Sequence, residues 1–264
     1  MTLRVTILGC GSSGGVPRVA QGWGVCDPTN PRNRRRRCSI LVEQIGPEGT
    51  TRVLVDTSPD LREQLLAAGV KHLDAILMTH PHADHTNGID DVRPLVIHMK
   101  RRLDIHMDEQ TSAMMRRAFG YIFETPEGSN YPPLLNERRI YPEKLCEVIG
   151  AGGPLKAMPI PLDHGEIDAL GFRFNNIAYT PDVKALYAES EKHLRGLDLW
   201  IIDGLRHPVH PTHFCIPEAL EMIRHFKPKH AILTNLSSEV DYGQLVAEVP
   251  GNVTVAYDML SVEV

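Results

Sequence analysis

Thr79-His80-Pro81-His82-Ala83-Asp84-His85 is the stretch of this 264-residue chain on which its reading turns. Three imidazoles and a carboxylate follow directly on the apolar run Ala75-Ile76-Leu77-Met78, which reads as a buried strand. His80 and His82 stand two apart in an extended segment and so project to one side, while the turn through Asp84 and His85 directs a second pair elsewhere. That pattern suits two adjacent metal ions. Imidazole and carboxylate donors suit zinc, manganese or iron, and the lack of clustered thiolates argues against a sulfur-based structural site here.

Outward from this motif, short β-branched runs recur between turn signals: Val5–Leu8, Ser39–Val42, Arg52–Val55, Leu199–Ile202, Ala231–Thr234 and Val253–Ala256. These read as strands. Apolar residues return every three or four positions over Pro59–Ala68, Glu109–Phe119, Val183–Leu194 and Pro217–Phe226, which predicts helices. No internal repeat or low-complexity linker divides the chain, so one α/β domain spanning 1–264 is expected. Tyr121–Tyr141, rich in Pro, Gly and aromatics, reads as irregular: a flap beside a site or a plain surface loop.

With 42% hydrophobic, 23% charged and 6% aromatic residues, the composition excludes disorder, collagen and coiled coil. No apolar run reaches the roughly 18 residues of a membrane span, and the N-terminus lacks the order of a signal peptide. No membrane association and a cytoplasmic location are expected. Five scattered cysteines, an odd number, read as buried thiols rather than a disulfide framework. The net charge of −5 gives no general affinity for long nucleic acid. Gly9-Cys10-Gly11-Ser12-Ser13-Gly14 follows a strand, as a dinucleotide-binding turn would, but no helical period succeeds it. Its glycines are better read as permitting tight turns.

The H-x-H-x-D-H motif resembles the signature of the metallo-β-lactamase superfamily. The other positions of that family have counterparts in order: Asp56 ending Val53-Leu54-Val55, His164 in Pro161-Leu162-Asp163-His164-Gly165, and Asp182 in Ala178-Tyr179-Thr180-Pro181-Asp182. Leu8–Pro17, Arg34–Ser39 and His210-Pro211-Thr212-His213 are similar to the PhnP-like branch. The resemblance implies an αββα sandwich with two divalent metal ions, zinc or manganese, at the sheet edge. It implies hydrolysis of a small phosphodiester, such as a cyclic ribosyl phosphate or a nucleotide, by a metal-activated water.

Carried over residue by residue, one metal takes His80, His82 and His164, the other Asp84 and His85, with Asp182 bridging. Asp56 orients these ligands from behind. His213 is the general acid or electrophilic stabiliser, and Asp84, named as the catalytic carboxylate, or Asp182 holds the water's remaining proton. Where the family carries a histidine completing the second metal, this chain has Asn235, a poorer zinc ligand, which leaves that site open to weak or manganese-preferring binding. Ser238 replaces a histidine, and Cys26 alone remains of the cysteines, of the family's structural zinc, so no structural zinc is expected. Arg32 and Arg34 to Arg37 form a basic run suited to phosphate, with Arg35 and Arg37 as candidate substrate contacts beside His210. A solvated or salt-bridged loop is the competing reading for these arginines, as plain loop residues are for His207 and His210.

The resemblance further implies a homodimer. Two other readings stay open: an acyl hydrolase of thioesterase, lactonase or β-lactamase type using the same site, and a non-catalytic relative binding one metal.

Overall fold

The computed structural model describes residues 2–264. Its first half carries β1 (Thr2–Gly9), β2 (Ser39–Gly46), β3 (Gly49–Val55), α1 (Leu61–Ala67), β4 (Ala75–Leu77), α2 (Ala83–Thr86), α3 (Arg93–Met99), β5 (Leu103–Met107), α4 (Glu109–Phe119) and β6 (Leu135–Arg139). The second carries β7 (Cys146–Gly150), β8 (Gly153–Asp163), β9 (Asp168–Phe174), β10 (Ile177–Thr180), β11 (Ala185–Leu186) and β12 (Leu199–Asp203). It continues through α5 (Ile216–Phe226), β13 (His230–Thr234), α6 (Tyr242–Glu248), β14 (Val253–Val255) and β15 (Ser261–Glu263).

Period-two alternation sorts each strand's side chains between two layers. Val53 and Val55 face inward against Leu170, Phe172 and Tyr179 of the opposite sheet, while Leu54 between them joins Leu61, Leu65 and Ile105 beneath the first helices. In the second sheet Ile201 faces inward, and Trp200 and Ile202 face outward against Ile216, Ile223 and Phe226 of α5. The result is the αββα sandwich expected from the sequence.

The sheet orders are β15-β1-β2-β3-β4-β5-β6 and β11-β8-β9-β10-β12-β13-β14, with β7 beside β8. Each begins as an antiparallel meander, β1-β2-β3 or β8-β9-β10. Each then continues parallel, through β3-β4-β5-β6 or β10-β12-β13-β14. Parallel strands bring their C-terminal ends to one edge, where open sheets gather ligands. Asp56, the segment from Thr79 to His85, Asp182, Asp203 and Asn235 all stand at or just past such ends. β15 pairs antiparallel with β1, placing Glu263 opposite Arg4.

Several expected elements differ. Val183–Leu194 is no helix but β11 and a 3-10 turn over Glu191–Leu194. Its backbone bonds outward instead, Lys184 N donating to Asp163 O and Phe214 N to Val183 O, so tertiary hydrogen bonds override the apolar period. Tyr121–Tyr141 is not wholly irregular, because β6 within it pairs with β5. No α-helix follows β1 among the described residues before β2, only a 3-10 turn over Pro31–Asn33. A Cβ on Gly9 would lie 2.1 Å from Arg37 O, so this glycine serves close backbone packing.

Trp200 is fully buried, donates from Nε1 to Thr180 Oγ1 at 3.0 Å and meets Phe226 edge-on. Trp200→Ala is expected to cost about 3–5 kcal/mol, read as a lowered urea midpoint. A cost under about 1 kcal/mol would show that the outer layer does not depend on this packing.

Candidate metal centre

Three ring nitrogens converge beyond β4 and β8: His80 Nε2 lies 3.0 Å from His82 Nδ1, which lies 3.3 Å from His164 Nε2. Nitrogens bound tetrahedrally to one zinc at about 2.0–2.1 Å would sit about 3.3 Å apart. His164 donates from Nδ1 to Thr212 O at 2.7 Å, which leaves Nε2 as the lone-pair nitrogen, and His80 Nδ1 is held 2.9 Å from Thr79 Oγ1. Burial holds both His80 and His164 below the usual imidazole range, so both are neutral, the form that ligates a cation.

A second convergence adjoins the first. Asp56 is fully buried and accepts from Thr79 N and Thr79 Oγ1, each at 2.8 Å, and from His85 Nδ1 at 2.7 Å. This turns His85 Nε2 toward Asp182 Oδ2, 2.8 Å away, and Asp84 Oδ2, 3.4 Å away. Burial lowers the His85 pKa, but the carboxylates of Asp182, Asp84 and Asp56 outweigh it and hold the ring well above its usual range. His85 Nε2 and Asp182 Oδ2 are nonetheless buried with no aligned hydrogen bond. Two such orphans are uncommon in a folded core. Their convergence, with a donor set of imidazole and carboxylate, fits a divalent cation, which would take the place of the proton that the carboxylates hold on His85. Among the described residues, His80-His82-His164, His80-His85-Asp182 and His164-Asp182-His213 are each grouped closely enough to hold one.

The side opposite is closed by a residue that sequence reasoning missed. Asp203, the last residue of β12, accepts from His213 Nδ1 at 2.8 Å, from Val183 N at 3.2 Å and from Asn235 Nδ2 at 3.2 Å. Burial pulls His213 down, but Asp203 and Asp182 outweigh it and raise the ring to about 9. Burial pushes the Asp203 carboxyl up to about 7. With three donors on Asp203, the shared proton is placed on His213.

Asn235 corrects the expectation made for it. Its Nδ2 faces three acceptors, Pro181 O at 3.0 Å, Asp182 Oδ1 at 2.8 Å and Asp203, with His213 Nδ1 also 3.2 Å away, and the three acceptors orient the amide. Its Oδ1 faces the Cys38 thiol. Asn235 is thus a donor that spaces two carboxylates, not an oxygen ligand in this arrangement.

The arginines are not brought to the imidazoles. Arg35 is 2% exposed and donates from Nη1 to Ser237 O at 3.0 Å and Val240 O at 2.9 Å, with Cys26 Sγ 3.9 Å away. Its role as a substrate contact is therefore corrected to one of bracing a loop. Arg37 Nε lies 2.8 Å from Asp60 Oδ2. His210 does stand at the centre, its ring 5.0 Å from that of His213, whereas His207 pairs outward with Glu248 at 3.4 Å.

Residues 51–234 match the family model of the beta-lactamase superfamily domain. A protein of Porphyromonas gingivalis (strain ATCC BAA-308 / W83) named octanoyltransferase is 32% identical over 262 residues, covering 98% of this chain and 51% of that protein. The chain therefore spans about half the length of that curated relative. A crystal structure described as a new diphosphatase from the PhnP family is 34% identical, with a TM-score of 0.89, covering 100% of this chain and 98% of the other. Zn(2+)-bound PqqB from Methylobacterium extorquens is similar in fold, at 17% identity and a TM-score of 0.73, over 98% of this chain and 99% of that one.

Asp56→Asn leaves every candidate ligand in place while weakening the bond that aims His85. It is expected to lower divalent-metal affinity about 10–100-fold in competition with a chromophoric chelator. Unchanged affinity would remove Asp56 from the metal centre.

Proposed function

The chain belongs to the metallo-β-lactamase superfamily and, within it, to the PhnP family, and on that premise we propose that this hydrolase cleaves a small phosphoric diester or phosphoanhydride. The observation that carries the reading is the likeness over its full length to a diphosphatase of the PhnP family. Diphosphates and phosphodiesters present the same problem: a phosphorus with an oxygen leaving group and negative charge on its free oxygens.

Divalent ions held by His80, His82, His164, Asp182, Asp84 and His85 would neutralise phosphate oxygens and lower the pKa of water. The protein's own groups do the rest. Asp84, partly open to solvent and 3.4 Å from His85 Nε2, would accept a proton from the attacking water. His213, fixed at Nδ1 by Asp203, retains Nε2 to protonate the departing oxygen. Asp203 holds the ring in that tautomer, and Asn235 keeps Asp203 and Asp182 from repelling one another.

The test is p-nitrophenolate release from bis(p-nitrophenyl) phosphate by manganese- or zinc-loaded protein, against the same protein after chelation. Release abolished by chelation supports the reading. His213→Ala should then lower kcat about 10²–10⁴-fold with metal content unchanged. A defect matched by metal loss would make His213 a ligand, in keeping with its place in one of the three groups.

The relative named octanoyltransferase favours one second reading, attack on an acyl carbon from the same centre. Metal-dependent cleavage of p-nitrophenyl octanoate without cleavage of the phosphodiester would establish it in place of the first.

A further inference from the structure

Away from the imidazoles, the first sheet ends in a small basic pocket. The loop at Gly14, Gly15 and Val16 lies over Arg34 to Arg37 and encloses about 140 Å³. Its position follows from the strand order: Gly9 ends β1 opposite Ser39 at the start of β2, and Gly11 bridges both Arg37 and Leu236. The pocket therefore shares the catalytic edge, on the β1–β2 side of it.

The charge around this space is not balanced. Four guanidinium-bearing residues line it against one carboxylate, Asp60, and that carboxylate already accepts from Arg37 N at 2.9 Å and pairs with Arg37 Nε. Arg36 has only a distant carboxylate, Asp258 at 3.9 Å from its Nε, and its Nη1 is buried without a hydrogen-bond partner. Arg35 directs its guanidinium at carbonyl oxygens, which satisfy hydrogen bonds without cancelling charge. Arg34 is exposed and forms no ion pair among the described residues. Arg34 and Arg36 thus remain without a close counter-charge, and in a chain of net charge −5 this basic grouping is local rather than a general basic surface.

We infer that this pocket is an anion site that takes a phosphate monoester group, separate from the metal centre. Guanidinium matches phosphate through paired, charge-assisted hydrogen bonds. The space, about 140 Å³ and open to solvent on one side, is large enough for a tetrahedral oxyanion. The group arrives either as a terminal phosphate on the substrate or as free inorganic phosphate.

The inference stands apart from the hydrolytic reading and is tested without metal. Metal-chelated protein titrated with inorganic phosphate in a calorimeter is expected to bind one equivalent. Arg34→Gln and Arg36→Gln should each weaken binding about tenfold. Asp60→Asn should tighten it, an effect that a damaged fold would not produce. No binding at millimolar phosphate, or affinity within twofold of the parent in both arginine variants, would overturn the inference. Manganese-loaded protein distinguishes the two sources. If Arg36→Gln raises KM for a phosphodiester bearing an extra terminal phosphate but not for bis(p-nitrophenyl) phosphate, the group is the substrate's own. Unchanged KM for both, with phosphate binding still lost, assigns the pocket to free phosphate.

Discussion

The centre depends first on one buried carboxylate. Asp56 gathers three donors from the segment after β4, two from Thr79 and one from His85, and so ties the ends of two neighbouring strands into one rigid corner. Its backbone has a φ of 65°, a left-handed conformation that a non-glycine residue adopts at a cost. The three hydrogen bonds offset that cost. Without this corner His85 would have no fixed tautomer, and the direction of Nε2 toward Asp182 would be lost.

The second sheet supplies the matching half. His164 follows β8, Asp182 follows β10 and Asp203 ends β12, so the centre forms only when the two sheets pack in one relative position. The inner core fixes that position: Val53 and Val55 share it with Phe172 and Tyr179. A contact made elsewhere reinforces it, since Leu170 N of β9 donates to Thr79 O at 2.8 Å. Packing between the sheets therefore sets distances among the polar groups at their edge.

How much was legible follows from where the information lay. The H-x-H-x-D-H segment is contiguous, so residue type and spacing alone announce its chemistry, and the downstream His164 and Asp182 could be aligned to it by order. Asp203 carried the same signal as Asp56, an acid closing an apolar strand, in Leu199-Trp200-Ile201-Ile202-Asp203, yet with no motif beside it. The role of Asn235 could not be read, because which way an amide points depends on acceptors more than thirty positions away. Arg35 was equally opaque, since nothing in a run of arginines says which one is turned inward. β8 was hidden by Pro154, Pro159 and Pro161, which interrupt the usual strand pattern, and Val183–Leu194 imitated a helix because its buried apolar ends happen to fall at helical spacing.

The pairing of β15 with β1 brings both ends of the chain to one corner, with Leu3 N donating to Val264 O at 3.1 Å. β1 runs toward the edge that carries the imidazoles, so that corner lies at the opposite side of the sheet. Polypeptide joined at either end would emerge facing away from the imidazoles. The architecture thus permits fusion to other modules while access to the reacting groups stays open, and a linker between the two termini would be short enough for new ends to be cut elsewhere in the chain.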